Sequence, residues 1–419
     1  MIIAISMDKN QKIEHLIDSS PKALDLTNER HAERIYDSVS AILKEGYSLS
    51  ELVDIETRLI QQNKPEYIFV LLALKLAKSK ILAARIDQPL MISVVFAVYK
   101  EHNRIRKSSE HPHGEDFLLK KVRQLEWLFE NQPHVTWELI VVDDGCPEKS
   151  GEIAQHIVDA NQLNDKVRVL FLENAIKKGY APASGMSSTR DSQKGGSIVY
   201  GMWEALRQSK ITNHIVIYTD ADLSTHLGQV MLLANPLLKK ENLVAIGSRR
   251  KPSSVVIKKG SRNYRGKLFI YLWKRLIPNL GDIVDTQCGF KAFKAEIVRD
   301  IIDGMIEKKF AFDIELLLRT SLLKKGNIIT VPIAWIDSEA ASTTTDLQPY
   351  LPMLKSIAKM YRKYFSKEDR AEEFAALIKS MDDDDFAKLL ENIPEEIRDR
   401  QPREFTTFDK VKASDLKTD

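Results

Sequence analysis

The pair Asp220-Ala221-Asp222 directly follows the apolar run HIVIYT. Two carboxylates one residue apart at a strand end can converge on one divalent cation. Mg2+ and Mn2+ prefer oxygen ligands and share them with substrate phosphates. Such an ion would neutralise a leaving diphosphate. The same aspartates would also serve simply to end a strand in a turn. A second acidic pair, Asp143-Asp144, closes the run WELIVV and is followed by Gly145. A carboxylate there can accept from the ring N–H of a base, and the glycine permits a tight exit, which a bare strand-to-helix turn would need as well. A third apolar run ends in Ala97-Val98-Tyr99-Lys100-Glu101, offering backbone, an aromatic ring and a carboxylate to a nucleobase and ribose. Asp313 follows Phe310 and Phe312 at a predicted helix start, with Glu315 two residues on. It reads equally as a helix cap or as a base within reach of an acceptor hydroxyl. A phosphate acceptor would need no such base.

Positive charge gathers elsewhere. Residues 249–275 hold ten Lys or Arg and no acid, among them Arg249, Arg250, Lys258, Lys259, Arg262 and Arg265. An uninterrupted basic stretch favours phosphate binding, on a substrate or a lipid carrier, over a plain solvated loop. In DTQCGFKAF (285–293), Gln287 can hydrogen-bond sugar hydroxyls, whereas Cys288 has no activating base beside it and reads as a small buried filler. Trp335 and Trp273 could stack on a sugar ring, although core packing is the commoner use of either.

These residues need a frame that brings strand ends together. Five short apolar runs, 91–99, 137–144, 167–173, 214–222 and 243–248, alternate with helical patterns at 115–131, 148–163, 194–209 and 226–240. Continuously apolar strands are buried on both faces, which predicts an α/β fold with a parallel sheet between helices and a ligand beyond the strands' carboxyl ends. Residues 1–87 read as a helical region. Ser48 and Glu51 form a capping-box pattern there, and Pro65 suits a first helical turn. The run YIFVLLALKLAKSKILAARI predicts a helix packed on a neighbouring helix or a second subunit, with a membrane surface as the other reading. Residues 88–345 form the expected catalytic domain. Residues 346–419 are expected as short helices with a loosely ordered acidic end.

Composition limits the function classes. The chain has 419 residues, 43% hydrophobic and 29% charged, with a net charge of +3, which gives no support to nucleic-acid binding. The charge is uneven: from Lys367 to Asp419 there are 10 basic and 16 acidic residues, so the tail carries −6 and the rest +9. Two cysteines are too few for a disulfide framework or a zinc site and fit a reducing cytoplasm. No stretch approaches the ~18 apolar residues of a membrane span, and the start has its charges after its apolar run, not before it as in a secretory signal. The expectation is a cytoplasmic protein, in contact with the inner face of a membrane at most.

Eight segments, FAVYKE, VVDDG, KGGSIVYGM, TDADLS, IGSRR, DTQCGFKAF, FAFDIELL and VPIAW, succeed one another in an order that resembles family 2 glycosyltransferases of GT-A fold, above all the dolichyl- and polyprenyl-phosphate glucosyltransferase branch. The resemblance spans about 250 residues, and the order of the motifs carries it more than any one of them. It implies a GT-A, Rossmann-like mixed sheet and inverting transfer of a hexose from a nucleoside-diphosphate sugar, such as UDP-glucose, to a saccharide or polyprenyl phosphate. By position it implies Tyr99, Glu101 and Asp143 at base and ribose and Lys194 near the diphosphate, with Gly195 and Gly196 letting backbone come close. Asp220 would meet ribose or sugar, Asp222 would ligate Mg2+ or Mn2+, and Asp313 would be the catalytic base. Two features depart from the family pattern. Asn174 is separated from Lys194 by a long Gly/Ser-bearing loop, which reads as a lid or else makes Lys178-Gly179 the true counterpart. The transmembrane helices usual in the lipid-phosphate branch are also missing. A sugar-1-phosphate nucleotidyltransferase would want a glycine-rich loop after the first strand, and FAVYKEHNRIRK has none. A non-catalytic sugar-nucleotide sensor or scaffold, working through the N-terminal helices, is the other alternative.

Overall fold

The computed structural model describes residues 9–208, 211–257, 263–323, 327–337 and 349–417. Four helices come first: α1 (Lys9–Ser19), α2 (Glu29–Lys44), α3 (Leu49–Gln62) and α4 (Ile68–Ala83). The Ser48/Glu51 capping box is present, and Asn63 ends α3 in the left-handed conformation before Pro65 opens a turn into α4. The α/β region follows. Its strands are β1 (Leu90–Val98), β2 (Val135–Asp143), β3 (Val167–Phe171), β4 (His214–Thr219), β5 (Val244–Ser248), β6 (Val255–Ile257), β7 (Phe290–Lys294), β8 (Ile328–Pro332) and β9 (Ala334–Ile336). Between them run α5 (Phe117–Phe129), α6 (Ser150–Ala160), α7 (Leu172–Lys177), α8 (Gly195–Gln208), α9 (Val230–Leu237), α10 (Asn263–Leu276), α11 (Ala295–Ile302) and α12 (Phe312–Leu323). Then come α13 (Tyr350–Tyr364), α14 (Asp369–Ser380), α15 (Asp383–Glu391) and α16 (Glu395–Arg398).

Seven strands form one sheet in the order β3-β2-β1-β4-β7-β5-β8, and β6 pairs with β9 in a small parallel ribbon. This is a mixed sheet flanked by helices, an α/β architecture. All five expected strands are present and mutually parallel in sense. Besides the two ribbon strands β6 and β9, the pattern missed two strands of this sheet: β8, only partly buried, and β7, which runs antiparallel between β4 and β5. β7 escaped notice because Lys291 and Lys294 interrupt its apolar run.

The sheet separates two cores. Side chains alternate along each strand. Thus Val95, Val142, Tyr218 and Phe293 meet α8 and α10–α14 on one face, while Val94, Phe96, Ile217 and Phe290 meet α4, α5 and α9 on the other. The N-terminal helices therefore cover one face and the C-terminal helices the opposite one. α4, apolar nearly all round, is enclosed within the chain, from Phe69 to Ala77 without an exposed residue. Its Lys75 and Lys78 pair with Glu56, and Lys75 also donates to the carbonyls of Ser253 and Pro332. Among the described residues no helix is long and apolar enough to cross a membrane.

The loosely ordered end expected for the acidic tail is corrected by the structure. Short helices and turns run as far as Leu416, with Phe374, Phe405 and Leu416 buried. Tyr271 of α10 receives the edges of Phe374, Phe405 and Phe408 at centroid distances of 6.2, 5.5 and 6.1 Å, and its hydroxyl donates to the Val411 carbonyl. Three cations of the basic stretch are spent here too. Lys267 donates to the Arg398 carbonyl, Lys274 to the Thr406 hydroxyl, and Arg275 to the Phe405 carbonyl. A sequence window could not show this, because the partners lie about 130 residues away. Phe405→Ala should cost about 3–5 kcal/mol through lost burial and a residual cavity. Urea unfolding should show this as a lower midpoint with an unchanged slope.

Candidate active site

The candidate residues collect at the carboxyl ends of β1, β2 and β4 and around the segment preceding α12. β4 delivers Asp220 and Asp222. The Asp220 N–H donates to the Gly289 carbonyl, while Asp222 Oδ1 accepts from Ser224 N–H at 3.0 Å. Lys194 Nζ pairs with Asp220. Burial opposes the Asp220 charge, but Lys194 and Arg249 together hold its carboxyl below the usual range. Lys178, by contrast, is exposed at the end of α7, so the lysine at the carboxylates is Lys194. The loop before it is built of turns: Pro182 and Ala183 are buried, and Ser188 with Asp191 forms a capping box.

What fixes Lys194 is Asp144, the member of the second acidic pair to which sequence reasoning gave no separate role. Its buried carboxylate accepts from Lys194 N–H at 2.8 Å and from Ser197 Oγ at 2.6 Å. Lys194 itself has φ +75°, a left-handed conformation uncommon for a residue with a side chain. Gly195 and Gly196 do allow close approach, but to the protein's own backbone. A Cβ on Gly195 would stand 2.6 Å from the Lys309 carbonyl oxygen and 2.7 Å from Phe312 Cβ, and Gly196 N–H donates to the Lys308 carbonyl. The glycines thus join the start of α8 to the segment that leads into Asp313.

Asp143 answers to the turn reading. Its Oδ1 accepts from Gly145 and Cys146 N–H, and its Oδ2 from Gly151 N–H at 2.8 Å. Those three donors occupy the carboxylate, with Gly145 at φ +74°. Glu101 is buried and salt-bridged to Arg104, which also holds Glu115 at 3.0 Å. Burial pushes the Glu101 carboxyl up to about 7 against the pull of Arg104, with Asp222 and Asp220 adding to the rise. Neither Arg104 nor Glu115 carried a sequence signal, since only the fold of the 99–116 loop makes them neighbours. Tyr99 is 46% exposed beside this loop.

Asp313 is the second residue of α12 and is buried. Lys291 of β7, fully buried, donates to its Oδ1 at 2.9 Å and to the Cys288 carbonyl at 2.6 Å. Burial raises Asp313 well above the usual carboxylate range, with Lys194 opposing, and burial pushes Lys291 down to about 7. Burial thus works against both charges, while the 2.9 Å contact between them supports both. Glu315 instead accepts from Ile306 and Glu307 N–H and from the Tyr364 hydroxyl, which fixes the approach to α12.

On the far side, Arg249 is committed to Asp285 by a bidentate contact at 2.7 and 3.0 Å and lies over the Trp335 ring. Its charge is therefore already balanced, unlike a free phosphate anchor. Arg265 is exposed on the first turn of α10, and Lys258, Lys259 and Arg262 lie outside the described residues. Gln287 stands between Thr286 and Cys288 with its Nε2 buried and unpartnered, a donor left available to a ligand. Trp273 is fully buried in the core, and burial pushes the Cys288 thiol up to about 12.

Among the described residues no group of three or more acidic, His or Cys ligands converges. A fully protein-made cage is therefore not available. Mg2+ does not require one, because it commonly takes one or two carboxylates and completes its shell with phosphate oxygens and water. The partly buried Asp222, with only one oxygen engaged by its own turn, fits that pattern.

Residues 118–301 match the family described as glycosyl transferase family 2. Human dolichyl-phosphate beta-glucosyltransferase is 28% identical over 289 residues, covering 67% of this chain and 78% of the relative. The enzyme of the same name from Saccharomyces cerevisiae is 25% identical over 263 residues, covering 59% and 68%. Among solved structures, glucosyl-3-phosphoglycerate synthase from Mycobacterium tuberculosis, in complex with Mg2+ and UDP, aligns with a TM-score of 0.40 at 17% identity, over 74% of this chain and 84% of that one. The matched segment, residues 118–301, is a glycosyl transferase family 2 domain, which makes the chain a glycosyltransferase.

Gly289 offers a direct test of the site's geometry. A Cβ there would overlap the Asp220 carboxyl group. Gly289→Ala should therefore displace Asp220 and break its contact with Lys194. The expected result is at least a tenfold loss of sugar-transfer rate with a melting temperature within a few degrees of the parent, read by turnover and thermal shift side by side.

Proposed function

We propose that the protein moves glucose from UDP-glucose to a polyprenyl phosphate in a single, inverting displacement assisted by Mg2+ or Mn2+. The observation that carries the reading is the cluster of Asp220, Asp222 and Lys194 at the end of β4, facing buried Glu101. The sugar and the acceptor follow those of the similar dolichyl-phosphate beta-glucosyltransferases. In this reading residues 88–345 form the catalytic domain. The exposed Tyr99 and buried Glu101 receive the base and ribose, with Asp143 shaping the turn beside them. Asp222 would hold the ion, which when bound supplies charge neutralisation at the leaving diphosphate. Lys194 adds a cation on the same side, and Gln287 offers its unpartnered amide to the sugar. Arg249 and Arg265 belong to the basic stretch, which this reading assigns to the acceptor. The chain works at the cytoplasmic face of a membrane, where its acceptor resides.

A second reading, transfer to a saccharide hydroxyl, is favoured by Asp313. A hydroxyl must lose its proton in the reaction, and the Asp313 carboxylate can take it. A phosphate oxygen is already nucleophilic and asks for no base.

The two readings separate cleanly. UDP release from UDP-glucose with Mn2+ should appear on addition of a short polyprenyl phosphate, and Asp222→Ala should reduce it by at least 100-fold, about 2.7 kcal/mol of barrier. Asp313→Asn should leave that reaction within tenfold of the parent if the acceptor is a phosphate, and abolish transfer if it is a hydroxyl. Undiminished turnover in Asp222→Ala would remove the metal assignment.

A further inference from the structure

The N-terminal helices lie outside the matched domain, yet they meet the segment that follows Asp222. The Tyr36 hydroxyl of α2 lies 3.3 Å from His226 Nε2. Gly228 N–H donates to His226 Nδ1 at 2.9 Å, so the ring proton sits on Nε2 and points at Tyr36. His226 is buried, and burial pushes it down to about 3, so this neutral tautomer persists. From α4, Ser79 Oγ accepts the Met231 N–H at 3.2 Å. Leu76 closes over Gly228, where a Cβ would stand 2.9 Å from its Cδ2. α5 completes the enclosure. Lys121, fully buried, donates to the Asp222 carbonyl at 2.7 Å, and Gln124 Oε1 accepts Leu227 N–H at 2.8 Å.

The segment from Asp222 to Met231 is thus hydrogen-bonded at successive positions by three helices, two of them from the N-terminal layer. Backbone groups in a buried turn must find partners, and here the partners set where the turn lies. Asp222 is the first residue of that segment, so its carboxylate inherits whatever position the helices impose. Such fixing by supporting residues governs how well a site holds its ligand.

We infer that Tyr36 and Ser79 are positioning residues: through them the N-terminal helical layer braces the Asp222 turn and sets its affinity for the cation–diphosphate end of the donor. The inference rests on the proposed role of Asp222. It gives the N-terminal region a part in donor binding, where the sequence alone left it as a packing or partner surface.

The test uses the full chain and UDP, titrated by calorimetry with and without Mn2+, so that no turnover is needed. In Tyr36→Phe/Ser79→Ala, two hydroxyls are removed with almost no change of volume. The dissociation constant for UDP in Mn2+ should rise about tenfold, while that for UDP alone stays within twofold. The single variants should each show part of the effect, which keeps the result readable if the double variant folds poorly. Leu59→Ala, which loosens the same layer through buried α3 without touching the turn, should lower the melting temperature and leave the Mn2+ enhancement intact. An unchanged enhancement in Tyr36→Phe/Ser79→Ala, or an equal loss in Leu59→Ala, overturns the brace. If Asp222→Ala itself keeps the enhancement, the metal reading fails and the brace with it. If Asp222→Ala loses it and the hydroxyl variants do not, the brace alone fails.

Discussion

Acidic side chains brought together at one end of a sheet repel each other, and burial makes each charge costlier. The structure meets this constraint with a matched set of cations. Lys194 stands against Asp220, Arg104 between Glu101 and Glu115, Arg249 across Asp285, and Lys291 beside Asp313. Balance is local in each pair, yet the pairs touch one another electrostatically: Arg249 acts on Asp220, and Lys194 on Asp313.

Support for that cluster comes from both faces of the sheet. The N-terminal helices hold the turn after β4, and Asp144 with the two glycines of α8 holds Lys194 against the segment that leads into Asp313. On the opposite face, the acidic tail is held by hydrogen bonds from Lys267, Lys274 and Arg275 to uncharged oxygens, two of them carbonyls. The acidic tail is therefore packed onto the rest of the chain and is not a separate appendage.

Sequence reading was strongest where one local period decided the matter. The five parallel strands, their crossover helices and the capping box at Ser48 all follow from patterns a few residues long. It was weaker wherever the deciding partner was distant. β7 was hidden because its lysines look like solvent-facing charges, whereas Lys291 finds Asp313 22 residues later. Asp143 looked like a ligand group, but three backbone N–H groups donate to it, two from its own turn and one from the start of the next helix. Gly195 and Gly196 signalled close approach correctly and left open to what.

By itself the sequence determined which residue types stand at the ends of which strands, because strand and helix periods are local and the turn between them follows directly. It also determined the class of chemistry those residues can do. Tertiary structure alone decided which lysine reaches Asp220, which acids are neutralised, and what covers each face of the sheet. Those outcomes depend on contacts between segments tens to hundreds of residues apart, and no local pattern encodes the distance between them.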